Sequence, residues 1–222
     1  MRRREFRQYR EAIEPVLRRA LAQGRTERLD EQALPSYTHR NRLMAWLFWK
    51  RIQVVLDMFG QNRPRRILDF GCGAGILLPA LVRAGHKVTA CDVDLSLARQ
   101  LVAERGLEGI DWLASDSELA RLPEKTFDMI LCLDVLEHVE SVPALASQFH
   151  RLLKPSGLLV VSGPTESPVY RLGRRLAGFT GHYHVRSIFE IEASLKERFE
   201  VRVLRRLGWP LTLFRIVAAR PV

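Results

Sequence analysis

The sequence has no apolar run approaching the roughly 18 to 20 residues that a bilayer-spanning helix needs. Its arginine-rich start is not followed by the apolar stretch of a secretory signal. A cytoplasmic protein is the expectation, with peripheral membrane contact left open by the charge pattern described below. Cysteine is scarce: Cys72, Cys91 and Cys132 are odd in number and lack metal-ligand spacing, which argues against a disulfide framework or a cysteine-bound metal. They read instead as small reduced thiols in or beside core strands. Internal repeats and low-complexity tracts are missing too, which excludes a solenoid or a disordered array.

What is present is an ordinary globular composition: 222 residues, 47% of them hydrophobic, enough for one sizeable core. The net charge of +10 is unevenly placed. Residues 1–66 hold 16 Lys and Arg against 7 Asp and Glu, and the remainder 19 against 18. The positive field therefore belongs to an N-terminal extension. A basic face of this kind suits nucleic acid or an anionic membrane, and it equally suits a solvated helix face.

One stretch organises the rest. Arg66-Ile67-Leu68-Asp69-Phe70 is a β-favouring run that enters Gly71-Cys72-Gly73-Ala74-Gly75 and then the helical Ile76-Leu77-Leu78-Pro79-Ala80-Leu81-Val82. Glycines at such a turn admit positive φ and bring a ligand against backbone N–H groups. The spacing is G-x-G-x-G; Ile76 stands where a dinucleotide fold would have its third glycine. The next apolar run, Lys87 to Cys91, ends on Asp92, a carboxylate placed to accept hydrogen bonds from a ribose.

From Arg65 onward, strands and helices alternate, the pattern of a parallel sheet covered on both faces. Strands are expected at 66–70, 87–92, 110–115, 128–133 and 157–163, with helices near 75–84, 94–105 and 142–153. A helix at 187–197 precedes two strands, 199–206 and 211–220, joined by a turn at Gly208-Trp209-Pro210 and forming an antiparallel hairpin at the sheet edge. Gly71, Asp92, Asp116 and Asp134 fall at strand ends, where ligands bind in such sheets. Upstream, a charged helix from Arg4 to about Gln23 carries Phe6, Tyr9, Ile13, Val16, Leu17, Ala20 and Leu21 as an apolar stripe. A more apolar helix over 40–60 includes Trp46, Phe48 and Trp49. It reads as a lid over the cleft or as a helix in a membrane interface. Residues 1–62 are thus a helical basic extension and 63–222 the ligand-binding domain.

Asp69, Gly71, Gly73, Gly75 and Asp92 resemble the cofactor-binding half of class I S-adenosylmethionine-dependent methyltransferases. The resemblance continues through Asp116, Leu122-Pro123, Phe127-Asp128, Val135-Leu136-Glu137-His138 and Arg151-Leu152-Leu153-Lys154-Pro155-Ser156-Gly157, where Ser156 replaces a glycine. It is nearest to the type 11 and ubiquinone-biosynthesis-like group, and strong over about residues 65–163. It implies an α/β, Rossmann-like, seven-stranded and mostly parallel sheet with an antiparallel last strand. It also implies S-adenosyl-L-methionine as cofactor and S-adenosyl-L-homocysteine as product.

By the same resemblance, Asp69 and the chain from Gly71 through Cys72 and Gly73 to Gly75 hold the methionine moiety, helped by the carbonyl of Leu133. Asp92 takes the ribose, Val93 covers adenine, and Asp116 with Ser117 meets its edge. Asp94 and Glu118 are left solvated. His138 is the candidate general base for a hydroxyl acceptor, with capping or orienting Glu137 as its bland alternative. His182, Tyr183 and His184 are acceptor-side candidates. Asp134, Glu137 and His138 could hold a divalent cation, but no metal is assigned. The acceptor is expected to be a small or lipid-linked molecule, methylated on oxygen or, less readily, on nitrogen or carbon. Nucleic acid is disfavoured, because Leu133-Asp134-Val135-Leu136 is not the Asn or Asp-Pro-Pro-aromatic motif of base methylation. A non-catalytic S-adenosylmethionine-binding module remains the other reading.

Overall fold

The computed structural model describes residues 3–23, 34–59, 65–167, 186–208 and 211–222. Its order is α1 (Arg3–Ala22), α2 (Leu34–Tyr37), α3 (Arg42–Asp57), β1 (Arg66–Phe70), α4 (Leu78–Arg83), β2 (Lys87–Cys91), α5 (Ser96–Glu104) and β3 (Ile110–Leu113). A 3₁₀ turn (Asp116–Arg121) follows, then β4 (Phe127–Leu133), α6 (Val142–Leu152), β5 (Leu153–Pro164), α7 (Ile188–Leu195), β6 (Phe199–Leu207) and β7 (Phe214–Pro221). The seven strands form one sheet in the order β3-β2-β1-β4-β5-β7-β6. Strands β1 to β5 run parallel, and β7 enters antiparallel between β5 and β6. The α/β architecture with an antiparallel last strand is the one the sequence implies, and β6 rather than β7 forms the edge of the terminal hairpin.

The strand order reverses between β1 and β4, so the crevice beyond their carboxyl ends is where a ligand fits. β1 buries Ile67 and Leu68 completely because both faces of a parallel sheet are covered. One core lies between one face and helices α1, α3, α4 and α5; it joins Ile13, Leu17, Trp49 and Val55 to Ile67, Leu131 and Ile216. The other joins Leu68, Ile130 and Val161 to Phe149 of α6 and Ile191 of α7.

Several boundaries move inward for identifiable reasons. The helix expected from residue 75 begins at Leu78, because Gly75 holds φ +72° and Pro79 takes the first turn. The second and third strands stop at Cys91 and Leu113, which leaves Asp92 and Asp116 beyond the sheet. The helix expected over 187–197 spans 188–195, opened by a capping box between Ser187 and Glu190. The final strand starts at Phe214 rather than 211. The fifth begins early, at Leu153, with a register shift before Leu158. In that shift Ser156 is exposed and has no positive φ, so the glycine it replaces is not needed there. At Gly157, by contrast, an added Cβ would come within 2.8 Å of the Lys154 carbonyl oxygen.

Candidate functional site

Three chain segments leave the carboxyl ends of adjacent strands and meet. The first follows β1. Gly71, Gly73 and Gly75 have φ of +69°, +52° and +72°, a conformation that side chains resist. A Cβ on Gly71 would also lie 2.2 Å from Cγ2 of Val135, so Val135 occupies the space a side chain would need. The loop is pinned to β2 by the N–H groups of Gly71 and Cys72, both donating to the Cys91 carbonyl at 2.8 and 3.1 Å.

The second segment follows β2. Asp92 accepts a hydrogen bond from the Gly73 N–H at 2.7 Å through Oδ2 and from the Asp94 N–H at 3.1 Å through Oδ1. It ties the glycine loop to the next strand end and remains partly exposed. Val93, beside it, is 88% exposed, an apolar surface available to a flat ring. Asp94 is not merely solvated: its carboxylate accepts from the Ser96 N–H at 3.0 Å and so holds the first turn of α5.

The third segment follows β3. Ser115 Oγ accepts from the Ser117 N–H at 3.1 Å, so Ser115 rather than Asp116 caps the 3₁₀ turn. Asp116 and Ser117 are exposed at its start. Glu118 is likewise engaged, accepting from the Ala114 N–H at 2.8 Å. The far end of this turn is held by Arg151, which donates to the carbonyls of Leu119 at 2.7 Å and Leu122 at 2.8 Å. This role of the arginine in Arg151-Leu152-Leu153-Lys154-Pro155 was not foreseen from its sequence.

The electrostatics of the crevice are one-sided. Asp69, 4% exposed at the end of β1, is pushed from 3.8 up to about 7 by burial and then by the Asp92 carboxylate. Asp92 is raised as well, mainly by burial, against the N–H groups of Asp94 and Gly73 that favour its charged form. Two carboxylates that resist ionising together suit a cationic ligand bearing hydroxyl groups. A sulfonium amino acid joined to a ribose meets both requirements. Burial disfavours the thiolate at all three cysteines, pushing Cys91 up to about 12 and holding Cys72 and Cys132 well above their ordinary value. All three are free; Cys91 and Cys132 are buried and Cys72 half-buried.

Beyond β4 the sequence-predicted residues diverge. Leu133 is half-buried and ends the strand. Asp134 has φ +57°, its N–H donates to the Ser162 carbonyl at 3.0 Å, and Oδ1 accepts from Ser162 Oγ at 2.9 Å. Its Oδ2 is ion-paired with Arg51 of α3, a contact the sequence did not reveal. Glu137 is 1% exposed, and burial followed by the neighbouring Asp134 charge keeps its carboxyl well above the ordinary range. His138 is exposed in the turn after β4, and its N–H donates to the Val135 carbonyl at 2.9 Å. It does not cap the next helix; Ser141 does, accepting from the Ala144 N–H at 3.4 Å. Among the described residues no group of three or more His, Cys, Asp and Glu side chains is placed to hold a metal. His182, Tyr183 and His184 lie outside the described residues, as does most of the connection after β5.

A family model described as "Methyltransferase domain" matches residues 37–202. Among curated proteins, the ubiquinone biosynthesis O-methyltransferase of Alkalilimnicola ehrlichii is 35% identical over 121 residues, 53% of this chain and 49% of that protein. The chain thus spans about half the length of the curated relatives it matches. Among solved structures, an S-adenosylmethionine-dependent methyltransferase of Aquifex aeolicus is 25% identical with a TM-score of 0.62, covering 77% of this chain and 89% of that one. The magnesium protoporphyrin IX methyltransferase of Synechocystis with bound S-adenosylhomocysteine shares the fold at 22% identity and a TM-score of 0.66, covering 86% and 93%.

Proposed function

We propose, from the premise that this chain belongs to the methyltransferase-domain family matched over residues 37–202, that it moves the methyl group of S-adenosyl-L-methionine to an oxygen of a small or lipid-linked acceptor. The observation that carries this reading is the pair of acids at adjacent strand ends, Asp69 buried in β1 just before the glycine turn and Asp92 bonded through Oδ2 to the Gly73 N–H of that turn. Bound there, the donor supplies a sulfonium-activated methyl group. The protein's own work is to hold, align and exclude water. Asp69 and the Gly71–Gly75 backbone, with Cys72 and Gly73 inside it, hold the amino-acid end, and the Leu133 carbonyl supports it. Asp92 accepts the ribose hydroxyls, Val93 lies against adenine, and Asp116 with Ser117 meets its edge.

Oxygen as the accepting atom is supported by the O-methyltransferase name of the relatives. A hydroxyl acceptor must give up a proton, and His138, exposed after β4, is the base proposed to take it. His182, Tyr183 and His184 are proposed to line the acceptor side. A lipid-linked acceptor met at a membrane surface is supported by Leu43 and Trp46, 62% and 48% exposed at the start of α3 beside exposed Arg40 and Arg42. No helix among the described residues is long and apolar enough to cross a membrane. Vesicles with anionic headgroups should float the wild-type chain and lose a Leu43→Ser/Trp46→Ser variant; equal flotation would remove the surface from the reading.

Calorimetric titration with S-adenosylhomocysteine tests the donor site. Asp92→Ala should weaken binding by about 1 to 3 kcal/mol, the worth of charge-assisted hydrogen bonds. Unchanged affinity would contradict the ribose assignment.

A further inference from the structure

The sulfonium crevice has two walls, the glycine turn after β1 and the segment after β4, and each is gripped by an N-terminal helix. Arg51 of α3 is 1% exposed, and its guanidinium packs against two rings that meet edge to face, 4.0 Å from the Phe48 centroid and 4.4 Å from that of Phe214. The corner formed by these two rings holds the cation, which pairs with Asp134. Asp134 sits at φ +57°, a left-handed conformation that costs a non-glycine residue energy and persists only where neighbours impose it. Among the described residues, Ser162 restrains it twice from within the sheet, and Arg51 restrains it from outside.

The turn at Asp134 delivers Val135 onto Gly71, where it fills the space of a missing Cβ. On the opposite wall, the Tyr9 hydroxyl of α1 donates to the carbonyl of Ile76, next to Gly75. The two helices are joined to each other. Phe6 meets Trp49 edge-on at 6.2 Å, and Arg10 lies 5.5 Å over the same indole.

We infer that Arg51 is a positioning residue for the methyl donor: acting through Asp134, it sets the β4 segment so that Val135 closes the glycine turn into its ligand-holding shape. The inference rests on the donor site proposed above. A binding free energy spent on shaping a loose turn is lost to affinity, so a turn shaped in advance binds more tightly.

The test measures S-adenosylhomocysteine affinity by calorimetry at 15 °C, with melting temperatures recorded alongside. If the wild-type chain does not bind, the donor site itself fails. If it binds, Arg51→Met should raise Kd about tenfold, the usual scale of coupling between linked elements. Asp134→Asn should raise it similarly, and the double variant should be no weaker than either single one, because the arginine acts through the carboxylate. Val55→Ala, a fully buried substitution one turn beyond Arg51 on α3, should lower the melting temperature and leave Kd unchanged. Should Arg51→Met bind as wild type, or Val55→Ala weaken binding as much as Arg51→Met, Arg51 serves stability alone. Losses that simply add in the double variant would equally overturn the route through Asp134. Where Arg51→Met fails to fold, the comparison of Asp134→Asn with Val55→Ala decides by the same criteria.

Discussion

At the scale of single residues, Asp69 makes the crevice sensitive to pH. Its carboxyl is raised to about 7 in the free protein, so near neutrality it is only partly ionised. An acid raised by folding adds stability below its unfolded value near 3.8 and loses that contribution as pH climbs through about 7. A cationic donor reverses the preference, because it favours the carboxylate. S-adenosylhomocysteine, whose amino group carries the charge, should therefore bind more weakly on the acid side, by up to about tenfold per pH unit. Titration near pH 7 in buffers of different ionisation enthalpy should report proton release on binding; proton uptake would place the ligand's cation elsewhere. Gly71→Ala tests the same crevice by volume. The new methyl group collides with Val135 at 2.2 Å and must hold φ +69°, so the variant should bind the product at least about tenfold more weakly and melt earlier.

The segments between strands carry the site, and here sequence and structure part company in an instructive way. The glycine turn and the carboxylates at strand tips were legible because each is local: three glycines after a β run, and an acid closing the next. Arg151 was legible as part of a segment but not as a function, since the carbonyls it reaches belong to the turn after β3. Arg51 stands next to Lys50 in an otherwise apolar part of α3. Its partner Asp134 lies far along the chain, and no periodicity in α3 announces it. Asp94 and Glu118 looked free because an acid bonded to a backbone N–H a few residues away resembles any exposed acid in sequence. Arg151→Ala removes the side-chain donor to the Leu119 and Leu122 carbonyls at the end of the 3₁₀ turn. It should loosen Asp116 and Ser117, the residues proposed to meet the adenine edge, weakening adenosine-containing ligands about five- to tenfold. A ligand trimmed to the methionine end alone should bind the two proteins equally, which separates a local effect on adenine from general damage.

For the molecule as a whole, the question is whether the N-terminal helices are an appendage or part of the folding unit. Their charge suggested an appendage, but much of it is consumed locally. Arg10 and Arg18 pair with Glu14 on α1, and Arg19 reaches Glu104 of α5 at 2.5 Å. The opposite face is buried: Ile13, Val16 and Leu17 of α1 are at most 2% exposed and share a core with Ile67, Leu131 and Val160 of the sheet. A core continuous across both parts melts as one, since neither side can keep its apolar surface dry alone. Leu17→Ala should cost about 3 kcal/mol, as truncation of a fully buried leucine does. Spread over a domain of this size, that lowers a single melting transition by roughly 6 to 12 °C. The helices and the sheet should unfold together in that transition, followed by the fluorescence of Trp49 on α3 and Trp112 on β3 in variants keeping one or the other. If Trp49 reported a separate melt below that of Trp112, the helices would be a lid that opens on its own, and the link from Arg51 to the donor crevice would have to operate across a hinge.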